Sequence, residues 1–331
     1  MDKKRWIALV IAAILFVFSI GFQLTATVAS SDFSNLLRNN TKGFSEKVIE
    51  NGNGNEKIAV IHLEGVIQDG TGNSLINANA YNHKLFLKML EEVGKDRTVD
   101  GLVIRVNSPG GGVVESAEIH DKITVIQEEY KKPVYVSMGN TAASGGYYIA
   151  APADKIVAHP ATLTGSIGVI MESINFADLA DKYGVDFNTI KSGEFKDIMS
   201  SSRKMTKEER EILQTMIDEL YDEFVQVIVD GRGLSEKEVR KLGDGRVYTG
   251  TQAKEQALVD ELGSMDDTIA MMKKDYDLDH ASVVEYGSGL DIGGFLGSKV
   301  QGMFGSESDL IGIKDLLRES NAPRAMYLYS E

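Results

Sequence analysis

One serine lies among small residues directly after an apolar run, in the segment Gly139-Asn140-Thr141-Ala142-Ala143-Ser144-Gly145-Gly146-Tyr147-Tyr148. Small neighbours allow the backbone and a substrate to approach the Ser144 hydroxyl closely. The apolar residues 147–151 predict a buried helix, so Ser144 lies at a helix N-terminus, where free N–H groups stabilise negative charge. The segment is a candidate for nucleophilic catalysis, although in isolation a tight packing contact between a strand and a helix is the better interpretation.

A glycine loop, Pro109-Gly110-Gly111-Gly112, also follows an apolar run. No lysine follows the glycines as a phosphate-binding loop requires, and Val113-Val114-Glu115 do not fit a dinucleotide-binding fingerprint. The exposed N–H groups of such a loop can stabilise the oxyanion that forms when a carbonyl is attacked. A tight structural turn is the alternative, and the catalytic interpretation gains weight if the loop lies at the same sheet edge as Ser144.

Several residues could act as the general base for a serine nucleophile. Lys196 follows Phe195 in a glycine-led turn, Lys191 is a weaker candidate, and His159 follows a predicted strand. A lysine can do this work only if its pKa falls from about 10.4 towards 7–8. An α/β-hydrolase arrangement is disfavoured because its first glycine is missing and His280 is the only distant downstream histidine. The residues alone leave the choice open.

Alternating apolar runs and helical patterns predict the elements that position these loops. The runs 57–63, 102–106, 134–138 and 155–158 are predicted strands, and the stretches 81–93 and 113–129 are predicted helices. This alternation indicates an α/β fold with a largely parallel sheet, right-handed βαβ crossovers and flanking helices. Functional loops in such sheets lie at the carboxyl ends of the strands, where both candidate loops fall.

The second half of the domain is predicted to be mainly helical. A short helix over 176–183 precedes a strand over 187–190. The capping box Thr206-Lys207-Glu208-Glu209 then begins a long helix that Gly231 and Gly233 end.

Composition and charge exclude several classes of function. The chain has 331 residues, of which 43% are hydrophobic, which is enough for a large core. A formal net charge of −14 argues against a nucleic-acid partner. The absence of cysteine removes thiol catalysis and disulfides, and the five histidines are scattered without a metal-binding motif. We therefore expect no metal and no cofactor.

The N-terminus carries a membrane signal. Residues 1–5 are a basic end, and residues 6–28 form an uncharged stretch long enough to span a bilayer. The positive-inside rule predicts a single-pass cell-membrane protein with a cytoplasmic N-terminus and an extracytoplasmic catalytic domain, with a cleaved signal peptide as the alternative. We expect a linker over 29–55 and the catalytic domain over 56–285.

The last part of the chain, residues 286–331, is predicted to be a glycine-rich segment followed by a tail. The stretch 287–308 suits a mobile segment better than a membrane-touching hairpin, because it has few basic residues. Ala322 and Ala325 have the spacing of small residues before signal cleavage sites. The tail could therefore enter an active site as a substrate mimic or be trimmed, but a disordered terminus is the safer expectation.

Four segments together resemble the signal peptide peptidase A family, in the Clp-protease/crotonase superfamily. They are 105–111 (RVNSPGG), 143–148 (ASGGYY), 164–169 (TGSIGV), and the stretch from Tyr248-Thr249-Gly250 through 258–263 (LVDELG). The resemblance covers about residues 57–270 and is strongest to the short, single-domain bacterial form.

The resemblance implies a Clp/crotonase-like fold and a Ser–Lys protease without a cofactor. Ser144 matches the nucleophile, and Lys196 matches the general base. Gly111 and Gly110 match the oxyanion hole, with the Gly111 N–H as the main donor, and Ser166 matches a hydroxyl that orients the lysine. The implied substrates are signal peptides left after protein export, and the implied assembly is a ring-shaped homo-oligomer at the lipid bilayer.

Three alternatives stay open beside this interpretation. His159 lies where the related Clp proteases carry a histidine, so a Ser–His pair is possible. A catalytically silent membrane scaffold could share the fold, and so could a crotonase-like thioester hydrolase, although no basic cluster for coenzyme A is apparent.

Overall fold

A mostly parallel β-sheet forms the centre of the molecule. The computed structural model describes residues 44–69, 81–288 and 325–329. In chain order the strands are β1 (Phe44–Glu50), β2 (Lys57–Glu64), β3 (Val99–Ser108), β4 (Gly110–Gly112), β5 (Val134–Ala143), β6 (Lys155–Ala158), β7 (Leu163–Gly165), β8 (Val247–Thr249), β9 (Glu261–Leu262), β10 (Ser282–Ser288) and β11 (Met326–Leu328). The main sheet has the order β1-β10-β2-β3-β5-β6-β9, and β7 and β8 extend it from β5. Among the described strands, β1 is antiparallel to its neighbour β10 and β8 is antiparallel to β7, and the other pairs in this sheet are parallel.

Helices cover both faces of the sheet. They are α1 (His83–Lys95), α2 (Val113–Glu128), α3 (Gly145–Ala150), α4 (Ala177–Lys182), α5 (Lys207–Arg232), α6 (Glu236–Leu242), α7 (Gly250–Glu255) and α8 (Met265–Asp275). Alternate residues of β2 enter different cores: Ala59 and Ile61 join the larger cluster, whereas Ile58 and Val60 pack near Met272 of α8. The period of two in a strand separates these sets, which confirms the predicted α/β class.

The N-terminal edge of the sheet departs from the sequence prediction. The sequence predicts a linker through residue 55, but β1 pairs with β10 and Phe44 stacks on Tyr286 with ring centroids 5.1 Å apart. The strand escapes recognition because its outer part carries Glu46, Lys47 and Glu50, and charged residues are common on exposed edge strands.

A second departure concerns residues 187–190, where the sequence predicts a strand. The structure has no strand there, and Phe187 and Ile190 are exposed. A short run of apolar residues forms a strand only where a sheet edge is available to pair with it. The predicted helix before it is confirmed as α4.

Helix α5 is confirmed with its caps. Thr206 Oγ1 accepts from the Glu209 N–H at 3.1 Å, and the Glu209 carboxylate accepts from the Thr206 N–H at 2.9 Å. The helix ends at Gly233, in the left-handed conformation with φ 65°. Its C-terminal half is buried around Phe224, but its N-terminal half leaves Met216 exposed.

No helix within residues 44–69, 81–288 and 325–329 is long and apolar enough to cross a membrane. The predicted anchor over 6–28 and most of the glycine-rich segment lie outside the described residues.

Candidate active site

Ser144 occupies a strained turn between β5 and α3. Its φ of 54° and ψ of −118° are rare for a residue with a side chain. The turn is held on both sides, since the Ser144 N–H donates to the Gly165 carbonyl at 2.8 Å and the Ser144 carbonyl accepts from the N–H groups of Tyr147 and Tyr148 at 2.9 Å. Strain that neighbours enforce in this way is typical of functional sites. No hydrogen bond involves the Ser144 hydroxyl among the described residues.

The glycine loop borders this turn. A Cβ added to Gly145 would lie 3.1 Å from the Gly111 nitrogen, and one added to Gly110 would lie 2.6 Å from the Gly145 nitrogen. Only glycines allow this approach. The Gly110 N–H donates to Ser108 Oγ at 3.1 Å, whereas the Gly111 amide lies against the residue that follows Ser144. The loop thus brings the Gly111 amide next to the Ser144 turn.

The C-terminal tail lies on this loop as an extended strand. β11 pairs antiparallel with β4, with Tyr327 opposite Gly111, and the Tyr329 N–H donates to the Pro109 carbonyl at 2.8 Å. On its other side, Met326 exchanges two backbone hydrogen bonds of 3.0 Å with Ile170. The expectation of a disordered terminus is therefore wrong for residues 325–329, which fill a groove beside Ser144.

The central side chain of the tail fills a closed aromatic pocket. Tyr327 is fully buried, and its hydroxyl donates to the Leu220 carbonyl at 3.1 Å. Its ring packs against Tyr148 of α3 and Phe224 of α5, with centroid distances of 5.0 and 4.7 Å. Burial raises the pKa of the Tyr327 hydroxyl. The groove thus combines backbone pairing with a specific side-chain site.

The end of the tail borders a cavity of about 550 Å³. Leu328 and Tyr329 line it together with Ser166, and Tyr221 of α5 forms part of the wall. Ser166 has a φ of 50°, and its N–H donates to the Arg246 carbonyl at 2.8 Å. The structure therefore brings Ser166 to the groove that the tail occupies.

The Lys196 side chain makes no hydrogen bond to Ser144 within the described part of this chain. Its backbone N–H donates to the Gly193 carbonyl at 3.3 Å, and its side chain is exposed. In the described part of the chain, no hydrogen bond or ion pair involves the Lys196 amine. The structure thus brings Ser144, Gly111 and Ser166 to one groove and leaves Lys196 on an exposed turn.

The other candidate bases are occupied or distant. His159 is exposed, and its Nδ1 accepts from the Ala161 N–H at 3.2 Å. His280 precedes β10 at the amino end of the parallel strands, opposite the edge where Ser144 follows β5. Lys191 pairs with Asp197 at 2.7 Å. None of these candidates has a hydrogen bond to Ser144 within the residues that the structure describes.

Sequence reasoning missed the side chains that hold the tail. Phe224 reads as one more core residue of α5, and Tyr148 as part of a buried helix. The available signal was the run Met326-Tyr327-Leu328-Tyr329, four apolar or aromatic residues shortly after Pro323, of which the two tyrosines favour strands. Its partner, the three-glycine strand β4, has no side chains that would suggest a strand.

The chain is similar in sequence to several known peptidases. The model of peptidase family S49 matches residues 126–279, which include Ser144 and Lys196. A protein of Enterococcus faecium provisionally named signal peptide peptidase SppA is 40% identical over 344 residues, covering 99% of each chain. Protease 4 of Haemophilus influenzae is 37% identical over 67% of this chain and 35% of its own. The chloroplastic serine protease SPPA of Arabidopsis thaliana is 31% identical over 67% of this chain and 32% of its own.

Proposed function

The chain belongs to the signal peptide peptidase A family, within peptidase family S49, and is therefore a serine protease. We propose that it hydrolyses leftover signal peptides, with Ser144 as nucleophile and Lys196 as general base. The observation that carries this proposal is the tail on β4. It is an extended peptide, bound through its backbone, on the loop that borders the Ser144 turn. Strand addition of this kind is a common way to bind peptides of varied sequence.

The proposed reaction is acyl transfer. The neutral Lys196 amine accepts the proton of the Ser144 hydroxyl as its oxygen attacks the peptide carbonyl, and the Gly111 N–H stabilises the resulting oxyanion. The lysine returns the proton to the leaving amine, and water then hydrolyses the acyl-enzyme. Ser166, on the groove wall, orients the lysine amine.

The apolar character of the groove supports the proposed substrates. The tail residues that occupy it are methionine, tyrosine and leucine, and Tyr327 lies in a pocket lined by aromatic rings. Signal peptides contain an apolar stretch of roughly 7–15 residues. Such a stretch could supply both the extended backbone and the large apolar side chains that the groove accepts.

We further propose a ring-shaped homo-oligomer in which Lys196 completes the site of a neighbouring copy. The support is the exposed lysine and the exposed apolar side chains of the chain segment that contains it. The exposed apolar side chains between β7 and α5 are Ile170, Ile174, Phe176, Leu179, Tyr183, Val185, Phe187 and Ile190. An apolar surface of this extent is typical of an interface. A second copy packed there would remove water from the lysine and favour its neutral form.

The proposed location is the cell membrane. The uncharged stretch over 6–28 follows basic residues, which favours a cytoplasmic N-terminus and an extracytoplasmic catalytic domain. Signal peptides left in the bilayer would then lie close to the groove.

Covalent labelling tests the proposed catalytic pair. A serine-directed phosphonate should label the full-length chain at Ser144, and Lys196→Ala should lose most of the labelling rate and of the cleavage of an apolar peptide. His159→Ala should keep both. Retained activity in Lys196→Ala with loss in His159→Ala would overturn the Ser–Lys assignment, and no labelling of the unmodified chain would indicate a silent scaffold.

A further inference from the structure

A cluster of ion pairs lies directly beside the turn that carries Lys196. The Arg203 guanidinium contacts the Asp197 carboxylate with two nitrogens, Nε to Oδ2 at 2.8 Å and Nη2 to Oδ1 at 2.7 Å. The same nitrogen Nη2 also reaches the Asp197 carbonyl at 3.2 Å. Arg203 therefore holds both the backbone and the side chain of the residue that follows Lys196 in the chain.

The second partner of Arg203 belongs to α5. Its Nη1 donates to Glu209 Oε2 at 2.8 Å, and its Nη2 contacts the other oxygen of the same carboxylate. The Glu209 side chain is 2% exposed and also caps the helix through the Thr206 N–H. One guanidinium thus ties the Lys196 turn to the N-terminus of a 26-residue helix. The planar fork of arginine suits this double contact, which a lysine could not make.

The cluster also controls the charge next to Lys196. Both Asp197 oxygens are taken, one by Arg203 alone and one shared between Arg203 and Lys191. Arg203 first, and Lys191 second, hold the pKa of the Asp197 carboxyl well below its usual range. The other charged groups around this turn are Glu194 and Lys204 on the same segment, Asp178 of α4 and Glu209 of α5. Asp178 pairs with Lys204 at 2.9 Å.

From this geometry we infer that Arg203 is a positioning residue for the general base. It fixes the Lys196 turn to α5 and keeps the Asp197 carboxylate from pairing with the Lys196 amine. The inference rests on the proposed role of Lys196. Its physical basis is that a free carboxylate beside an amine stabilises the protonated amine, which cannot accept the proton of a serine.

Arg203→Ala in the full-length chain tests the inference. We expect kcat for an apolar peptide to fall at least about tenfold, because small displacements of a catalytic group are costly. We expect KM to change little, since Arg203 does not line the groove. The acid limb of the pH profile of kcat should move to higher pH, because Asp197 is then paired only with Lys191, through one oxygen, and its other oxygen can stabilise the protonated base.

A second substitution separates this charge effect from a loss of structure. The double variant Arg203→Ala with Asp197→Asn lacks the released charge, so its acid limb should return towards that of the unmodified enzyme. Arg203→Lys, which keeps a charge but not the double contact, should lose part of kcat. The matched control is Lys155→Ala, which removes another cation paired with a carboxylate, that of Asp275, at the amino end of β6 and away from the Ser144 edge, and should leave kcat unchanged.

The outcomes distinguish the inference from the proposed function. Unchanged kcat and an unchanged acid limb in both Arg203 variants, with Lys196→Ala inactive, would overturn the inference alone. Activity retained in Lys196→Ala would instead remove the proposed function on which it rests. If Arg203→Ala does not fold, a normal pH profile of kcat in Arg203→Lys overturns the inference, and a lowered kcat with a shifted acid limb supports it.

Discussion

Tyr327 stacks on Tyr148, four residues after the candidate nucleophile, with ring centroids 5.0 Å apart and an angle of 24° between the ring planes. Tyr148 belongs to the helix that Ser144 begins, so the tail is packed against the element that positions the serine. The tail and a peptide substrate should therefore compete for one groove.

The first prediction concerns this competition. Tyr327→Ala removes the ring from its pocket and the hydrogen bond to Leu220, so the tail should leave the groove more often. Since the pocket holds a whole aromatic side chain, we expect the apparent KM for a short fluorogenic peptide to fall severalfold, with kcat nearly unchanged. Steady-state kinetics on the full-length chain measures this.

Tyr130→Ala is the matched control for that variant. Tyr130 is partly exposed just beyond α2, and this 16-residue helix places it roughly 24 Å from the loop. Intact mass spectrometry should accompany the kinetics, because trimming of the tail would also empty the groove. An unchanged KM in Tyr327→Ala with an intact tail would contradict competition.

The meeting of Ser144 with the glycine loop could be predicted from the sequence. Both follow apolar runs, and parallel strands bring their carboxyl ends to one edge. The structure confirms that placement, since β3 and β5 are parallel neighbours and Gly145 borders Gly111. These strands and helices could be predicted from hydrophobic periodicity and capping residues, because both signals depend on local sequence.

Two other features had no local signal. β1 could be recognised only through its partner β10, more than 200 residues away in the chain. Lys196 carries no pattern that separates it from a surface lysine, and in this chain it is a surface lysine. Its assignment depends on the family resemblance, because the spacing of residues in one chain carries no sign of a lysine that a second copy would cover.

A second prediction tests the close approach at Gly110. Its φ is +104°, and a Cβ there would lie 2.1 Å from the Tyr327 carbonyl oxygen and 2.6 Å from the Gly145 nitrogen. Gly110→Ala should therefore displace the loop from the serine turn and lower kcat/KM by about a hundredfold, the order found when an oxyanion donor is lost. The cost in unfolding free energy should be at least about 1 kcal/mol.

Gly54→Ala serves as its control. The nearest heavy atom to a Cβ at Gly54 is 3.7 Å away, which is ordinary contact. Kinetics and thermal unfolding of both variants should show a change only in Gly110→Ala. Normal activity of Gly110→Ala would mean that the loop does not have to approach Ser144 for catalysis.

The third prediction addresses the proposed sharing of the site between copies. Ser144→Ala and Lys196→Ala are each expected to be inactive. When the two are unfolded, mixed in equal amounts and refolded together, activity should return. Roughly a quarter of the contacts between neighbours in a cyclic assembly would then hold one intact serine and one intact lysine. Separately refolded variants that are mixed afterwards provide the control, and no recovery in the co-refolded sample would place both residues of the pair in one copy.

The fourth prediction concerns stability in acid. Hydrogen bonds from Arg203 and from the Thr206 backbone lower the pKa of Glu209 to about 2 from the model-compound value of 4.5. A carboxyl whose pKa is lower in the folded chain stabilises the fold above its unfolded pKa, and this stabilisation is lost as the pH falls towards the folded pKa. The melting temperature of Glu209→Gln should therefore lie below that of the unmodified chain at neutral pH, and the difference should shrink between about pH 4.5 and 2.

Glu211→Gln is the control in the same helix, since it loses only an exposed ion pair of 3.5 Å with Lys207. Its melting temperature should equal that of the unmodified chain at every pH. A constant difference for Glu209→Gln across this range would show that the Glu209 charge is not what stabilises the start of α5.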